Sequence, residues 1–139
     1  NEPMPACQLL IYPATRTANF ATQSRQALAS GVTLDKRLID FFNDMYFGGV
    51  DLDLKDPRLC PALAQKLSGA PTAHIITAEY DPLRDEGEEY SQLLSAAGVQ
   101  ASYRCYDGLM HNFILQTAVV ALANQAVGDC ASFLKQQLA

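Results

Sequence analysis

Asp81 and His111 are the residues of this chain whose types and spacing could do chemistry together. Asp81 stands in Ala78-Glu79-Tyr80-Asp81-Pro82-Leu83-Arg84-Asp85-Glu86-Gly87, and His111 follows thirty residues later in Gly108-Leu109-Met110-His111-Asn112-Phe113. Each falls at the end of a run that reads as a β-strand. A carboxylate that holds one imidazole nitrogen leaves the other to take a proton from a hydroxyl, the work of acid and base in a Ser-Asp-His hydrolytic triad. The order along the chain, acid then base, suits a protein in which the nucleophile comes first. No Gly-x-Ser-x-Gly occurs anywhere, and no His-Gly-Gly stretch precedes the first strand. The chain offers the acid and the base without a nucleophile or an oxyanion hole.

Each candidate has a plainer local reading. Asp81 suits a helix N-cap with Pro82 at the first helical position, although the carboxyl end of a parallel strand is also where open α/β sheets place their chemistry. Asp85 and Glu86 fall in the first helical turn, where negative charge suits the dipole; they read as structural, with Asp85 the nearest rival acid. His111 could be an ordinary loop histidine. His74 lies inside a strand beside Ile75 and reads as a hydrogen-bonded sheet histidine, since catalytic groups concentrate on loops. No His/Cys/Asp cluster has metal-ligand spacing and no glycine-rich phosphate loop is present, so neither metal nor cofactor is expected.

The elements that must position the pair follow from periodicity. Cys7-Gln8-Leu9-Leu10-Ile11-Tyr12 is a nearly continuous apolar run stopped by Pro13, the pattern of a strand buried on both faces of a parallel sheet. Residues 14–33 are polar and irregular. Leu34 to Phe47 reads as a helix with Leu34, Leu38, Phe41, Phe42 and Met45 on one face; Thr33 can cap its start and Gly48-Gly49 can end it. The second strand is Ala73–Ala78, followed by a helix from Arg84 to Ala97 with Tyr90, Leu93, Leu94 and Ala97 inward and Gly98 as its stop. The third strand, Val99–Tyr106, places His111 just beyond it in a Gly-containing turn. A last helix, about Ala118 to Leu138, shows Val119, Leu122, Ala126, Cys130, Phe133 and Leu134 at helical spacing. Alternation of this kind predicts an α/β fold with parallel strands and right-handed crossovers. The crossover from Pro13 to Thr72 takes sixty residues, where about a dozen suffice. The surplus is expected to build over the sheet edge as lid-like insertions do.

Composition narrows the classes further. The 139 residues are 49% hydrophobic and 18% charged with a net charge of −5, values of a globular chain rather than a disordered one. The basic residues are scattered, which argues against nucleic acid or an anionic membrane surface as partner. The longest apolar stretches fall far short of the roughly 18–20 residues of a spanning helix. Asn1-Glu2-Pro3-Met4-Pro5 lacks the charge and apolar region of a signal peptide and is not a natural translation start, so the chain is expected to continue something upstream. A cytoplasmic location is the expectation. Cys7, Cys60, Cys105 and Cys130 are too widely spaced for a C-x-x-C pattern and read as buried thiols rather than disulfides.

Gln8-Leu9-Leu10-Ile11-Tyr12-Pro13, Asp56-Pro57-Arg58-Leu59, the block from Ala78 to Gly87, Ala97-Gly98-Val99 and Tyr106-Asp107-Gly108-Leu109-Met110-His111-Asn112-Phe113 together resemble the C-terminal part of the hormone-sensitive-lipase-like esterases, an α/β-hydrolase family. The resemblance runs in order over nearly the whole chain. It departs at Cys60, where Ser is usual, and at Asn112, where Gly is usual; Asn tolerates left-handed backbone better than most residues. The resemblance implies that residues 1–139 are the C-terminal segment of an α/β-hydrolase domain, that residues 14–60 contribute to a cap, and that Asp81 and His111 are catalytic. It also implies a carboxylic-ester hydrolase for short to medium acyl chains, whose nucleophilic Ser lies on an N-terminal segment. The partners expected are a small ester and that segment, with a homo-oligomer as the other way to cover the first strand. The rival reading is a non-catalytic binding or receptor module on the same scaffold, which would have no reason to retain both acid and base.

Overall fold

The computed structural model describes residues 4–16, 21–48, 53 and 56–139. Three parallel strands form one sheet in the order β1-β2-β3: β1 Gln8–Ile11, β2 Ala73–Tyr80 and β3 Ala101–Met110. Helices α1 (Gln23–Ala27) and α2 (Lys36–Phe47) lie in the first crossover, α3 (Arg84–Ala96) joins β2 to β3, and α4 (Ala121–Leu138) follows β3.

Alternation along the central strand divides the core in two. Ala73 and Ile75 point to one face and pack with Tyr90 and Leu94 of α3 and with Val99. Ile76 and Ala78 point to the other, with Tyr106, Phe113 and the α4 residues Ala123, Ala126 and Cys130. This side-to-side partition is what a period of two imposes on a strand covered on both faces. Glycine sets one of the distances: a Cβ at Gly87 would stand 2.7 Å from Thr77 Cγ2, so α3 rests on β2 closer than any other residue would permit.

Several expectations shift. α2 begins at Lys36, not Leu34, because Asp35 caps it through a 2.9 Å bond from the Leu38 amide, which leaves Thr33 outside. Gly48 closes it at φ +53; Gly49 lies outside the described residues. Leu34 is buried, yet Phe41, Phe42 and Met45 are more than half exposed, so the apolar face of α2 is uncovered among the described residues. The short helix α1 stands within the stretch expected to be irregular. β1 packs on both faces as its sequence suggests, Leu9 and Ile11 against one core and Leu10 against the other, but it is only half-buried and pairs with β2 alone among the described residues. α3 ends as expected: the Val99 amide reaches back to the Leu94 carbonyl and Gly98 sits at φ +79. α4 starts three residues late, after a turn over Gln116–Val120, and its inner face is Ala123, Ala126 and Cys130, while Val119 is exposed. Cys7, Cys105 and Cys130 are free thiols, and Cys60 is fully buried.

Candidate active site

Strand register delivers the two candidate residues to each other. Ala78 pairs with Tyr106 and Tyr80 with Met110, so β3 spends two more residues than β2 over this interval. The surplus includes Gly108, whose φ of +73 turns the strand and whose amide donates to Glu79 Oε2 at 2.7 Å. The stretch expected as a Gly-containing turn is therefore a strand with an irregularity, held by a side chain of the neighbouring strand. Because Tyr80 and Met110 form the last rung, Asp81 and His111 are each one residue past it, at the carboxyl end of the sheet.

His111 Nδ1 lies 2.7 Å from Asp81 Oδ2. Asp81 is wholly inaccessible to solvent, a costly place for a carboxylate unless its oxygens are engaged. Its other oxygen accepts the Leu83 amide at 2.8 Å, and its carbonyl accepts from Arg84 N. The helix cap proper is Leu83, so Asp81 shapes the turn into α3 with one oxygen and holds the imidazole with the other. With Nδ1 protonated and donating to Asp81, Nε2 is the nitrogen left to accept a proton from a hydroxyl.

The histidine is fixed on its other sides as well. Asn112 takes the left-handed conformation (φ +68) that Asn tolerates better than most residues, which carries the chain into a 3-10 turn at Phe113–Leu115. The Thr33 hydroxyl donates to the His111 carbonyl at 3.0 Å. The Tyr12 ring lies 4.4 Å from the imidazole, centroid to centroid. Burial, and then the nearby Asp81 charge, push the Tyr12 phenol upward in pKa. Tyr12, Thr33 and Glu79 are contacts that residue types alone did not reveal. Only Tyr12 leaves a cue in the sequence, its place at the carboxyl end of a parallel strand.

The rival acid is occupied elsewhere. Asp85 accepts the Ser24 amide at 2.7 Å and bonds Arg84, and the Ser24 hydroxyl donates to the Pro82 carbonyl. Glu86, also fully buried, accepts the amides of Thr15 and Arg16 with one oxygen and pairs with Arg25 through the other at 2.7 Å. Burial pushes its carboxyl up in pKa, and Arg25 with the two amides pulls against that. Arg16 adds a pair to Glu89. The first turn of α3 thus holds the root of the long insertion, which makes Asp85 and Glu86 structural as expected. His74, too, is a sheet histidine: its Nδ1 lies 2.8 Å from Ser102 Oγ and its ring stacks near Phe133.

An open cavity of about 560 Å³ lies against α2, lined by Ala14, Arg16, Phe42, Met45, Tyr46 and Arg58 among others; neither Asp81 nor His111 is in its wall. No described helix is long and apolar enough to cross a membrane.

Parallel strands alternating with helices, with an Asp–His pair at their carboxyl ends, define an α/β-hydrolase scaffold. A family model described as the alpha/beta hydrolase fold matches residues 1–115. The carboxylic ester hydrolase LipN of Mycobacterium tuberculosis is 44% identical over 114 residues, which are 81% of this chain and 30% of that protein. The carboxylesterase NlhH of the same species is 38% identical over 134 residues, 94% of this chain and 41% of its own length. Among solved structures, the ester-hydrolase EH1AB1 from the metagenome of Lake Arreo superposes with a TM-score of 0.90 at 38% identity, over 99% of this chain and 43% of that one. The chain belongs to the α/β-hydrolase family, in its hormone-sensitive-lipase-like branch. It spans less than half the length of these relatives.

Proposed function

We propose that this chain is the acid- and base-bearing segment of a carboxylic-ester hydrolase that acts through a Ser-Asp-His triad. The observation that carries this reading is the 2.7 Å contact between a fully buried Asp81 and His111 at the carboxyl ends of paired strands. His111 Nε2 takes the proton of a Ser hydroxyl as the oxygen attacks the ester carbonyl, then returns it to the leaving alcohol. Asp81 keeps the imidazole in the tautomer that allows this and stabilises its cation. The Ser comes from a further segment, since no Gly-x-Ser-x-Gly stands in this sequence, and the chain by itself is inactive. Without that segment the outer edge of β1 invites self-association. A receptor module on the same scaffold would have no use for this pair.

The substrate is a dissolved ester with a short to medium acyl chain. The insertion over residues 14–60 presents Phe42, Met45 and Tyr46 as one wall of a cap. In a bounded pocket each further methylene contributes only about 1–3 kcal/mol until the chain meets a wall. The triad supplies its own nucleophile, so neither metal nor cofactor is needed, and the free thiols of Cys7, Cys105 and Cys130 suit the reducing cytoplasm. The test is the enzyme completed with its Ser-bearing segment, assayed on nitrophenyl esters of graded acyl length. His111→Ala should lose several orders of magnitude in turnover, and Asp85→Asn should be mild. Near-normal activity of His111→Ala would refute the assignment, and activity rising steadily to micelle-forming esters would refute the acyl range.

A further inference from the structure

Tyr12 sits where the alternation of β1 breaks. Leu9 and Ile11 pack with the core on the α4 side of the sheet and Leu10 with the core on the α3 side. Had the strand continued, the next side chain would have followed Leu10 to the α3 side. Tyr12 instead packs with the α4-side core, on the same side as Ile11. The backbone makes this switch through a φ of +38. Non-glycine residues seldom adopt such a value, and Pro13 biases the residue before it towards extended conformations. Strain of this kind persists where the surroundings over-determine it and collects at functional sites. Here the strand amide is retained: Tyr12 N donates to the Ile76 carbonyl at 2.7 Å.

The left-handed turn places the ring against the candidate base. Its centroid is 4.4 Å from that of His111, the planes tilted by 55°, and 5.7 Å from that of Phe113 in an edge-on contact. Phe113 in turn meets Tyr106 at 5.4 Å and is almost fully buried, so Tyr12 leans on a fixed wall. Asp81 holds His111 through one hydrogen bond to Nδ1, which leaves the imidazole free to turn about Cβ–Cγ and break it. A ring packed against the imidazole closes that freedom.

We propose that Tyr12 is a positioning residue for His111, its left-handed backbone turning an aromatic ring onto the imidazole so that Nε2 is held towards the nucleophile. This rests on the triad reading above, in which His111 is the base. The contacts are made by the ring, so Tyr12→Phe should preserve the function and Tyr12→Leu should remove it.

The first readout needs no esterase activity. This chain holds two histidines, His74 and His111, so in the completed enzyme with only this segment nitrogen-15-labelled, NMR can follow the His111 ring individually. The wild type and Tyr12→Phe should show Nδ1 protonated and bonded to Asp81. In Tyr12→Leu the minor, Nε2-protonated form should grow by about three- to tenfold, the range an aromatic pair supports. The second readout is kinetic, in the enzyme completed with its Ser-bearing segment. Tyr12→Leu should lower kcat by about ten- to a hundredfold with KM little changed, as misplacement of a reacting group does, and Tyr12→Phe should stay near wild type. Should Tyr12→Leu fold poorly, Tyr12→Met, unbranched and of similar reach, is read in its place. An unchanged His111 tautomer ratio in these variants overturns the proposal, even if stability falls, because Tyr12 would then be core packing alone. Loss of function in Tyr12→Phe overturns it too, by pointing to the hydroxyl. A wild type in which Nδ1 carries no Asp-bonded proton, or a fully active His111→Ala, defeats the triad reading itself.

Discussion

Adding one methyl group at Gly87 tests how tightly α3 is pressed onto β2 above the acid. The new Cβ would stand 2.7 Å from Thr77 Cγ2, with Pro13 Cδ at 3.6 Å and Ile75 Cγ2 at 3.8 Å. The last two are ordinary contacts; the first is not. Thr77 cannot simply rotate away, because its χ1 is stiff and its hydroxyl is held 2.7 Å from that of Tyr103. The helix must lift instead, and overpacking of this kind costs about 1–3 kcal/mol. Against it, alanine in place of glycine inside a helix is worth about 0.5–1 kcal/mol. Gly87→Ala should therefore destabilise the chain by about 1–2 kcal/mol. In a Thr77→Ser background, which keeps the hydroxyl and deletes Cγ2, the clash is gone and the same change should stabilise by about 0.5–1 kcal/mol. Urea unfolding of the four proteins, read as a double-mutant cycle, gives the coupling directly. If Gly87→Ala has the same effect in both backgrounds, the close approach of α3 to β2 is not what requires glycine here.

Glu86→Ala should cost about 3–5 kcal/mol, because it leaves the poorly exposed Arg25 charge unpaired and the amides of Thr15 and Arg16 without their acceptor. Hydrogen exchange should show those two amides opening first, and unchanged protection there would count against the anchor. His74 is held below its ordinary pKa by burial, with Asp129 opposing and Arg104 reinforcing the shift, and its Nε2 has no hydrogen-bond partner among the described residues. The unfolded chain then binds the proton first as pH falls below about 6.5, so stability rises with pH through that window and is lost on its acid side. His74→Gln should flatten the dependence of Tm on pH just below 6.5; identical slopes in the two proteins would remove His74 as the source.

Where the sequence was legible, local physics sufficed. Apolar runs locate the three strands, Gly98 marks the end of α3, and Asn112 holds the left-handed turn that its residue type tolerates. The meeting of Asp81 and His111 was legible because both follow strands that turn out to be neighbours in register. What stayed hidden depends on partners far along the chain. The Thr15 amide and Glu86 are 71 residues apart, and nothing near either one announces the bond. Periodicity showed that α2 has an apolar face but not what covers it, and the face is exposed. The two-residue slip in β3 and the left-handed Tyr12 are likewise products of how strands end beside one another, which no single segment encodes. Val119 fits the helical spacing of α4 but belongs to the turn before the helix and is exposed.

The grip of Glu86 on Thr15, Arg16 and Arg25 divides the insertion into a root and a crown. The root is bolted to the turn that carries Asp81, so its identity is tied to that of α3 and the two must be inherited or transplanted together. Among the described residues α2, where the crown begins, shares no hydrogen bond or ion pair with α3, and lengthening a surface loop is thermodynamically mild because closure entropy grows only slowly with length. Changes of length or sequence in the crown should therefore leave the acid in its place. A graft that moves the insertion without Arg25 and its glutamate would be expected to lose its footing.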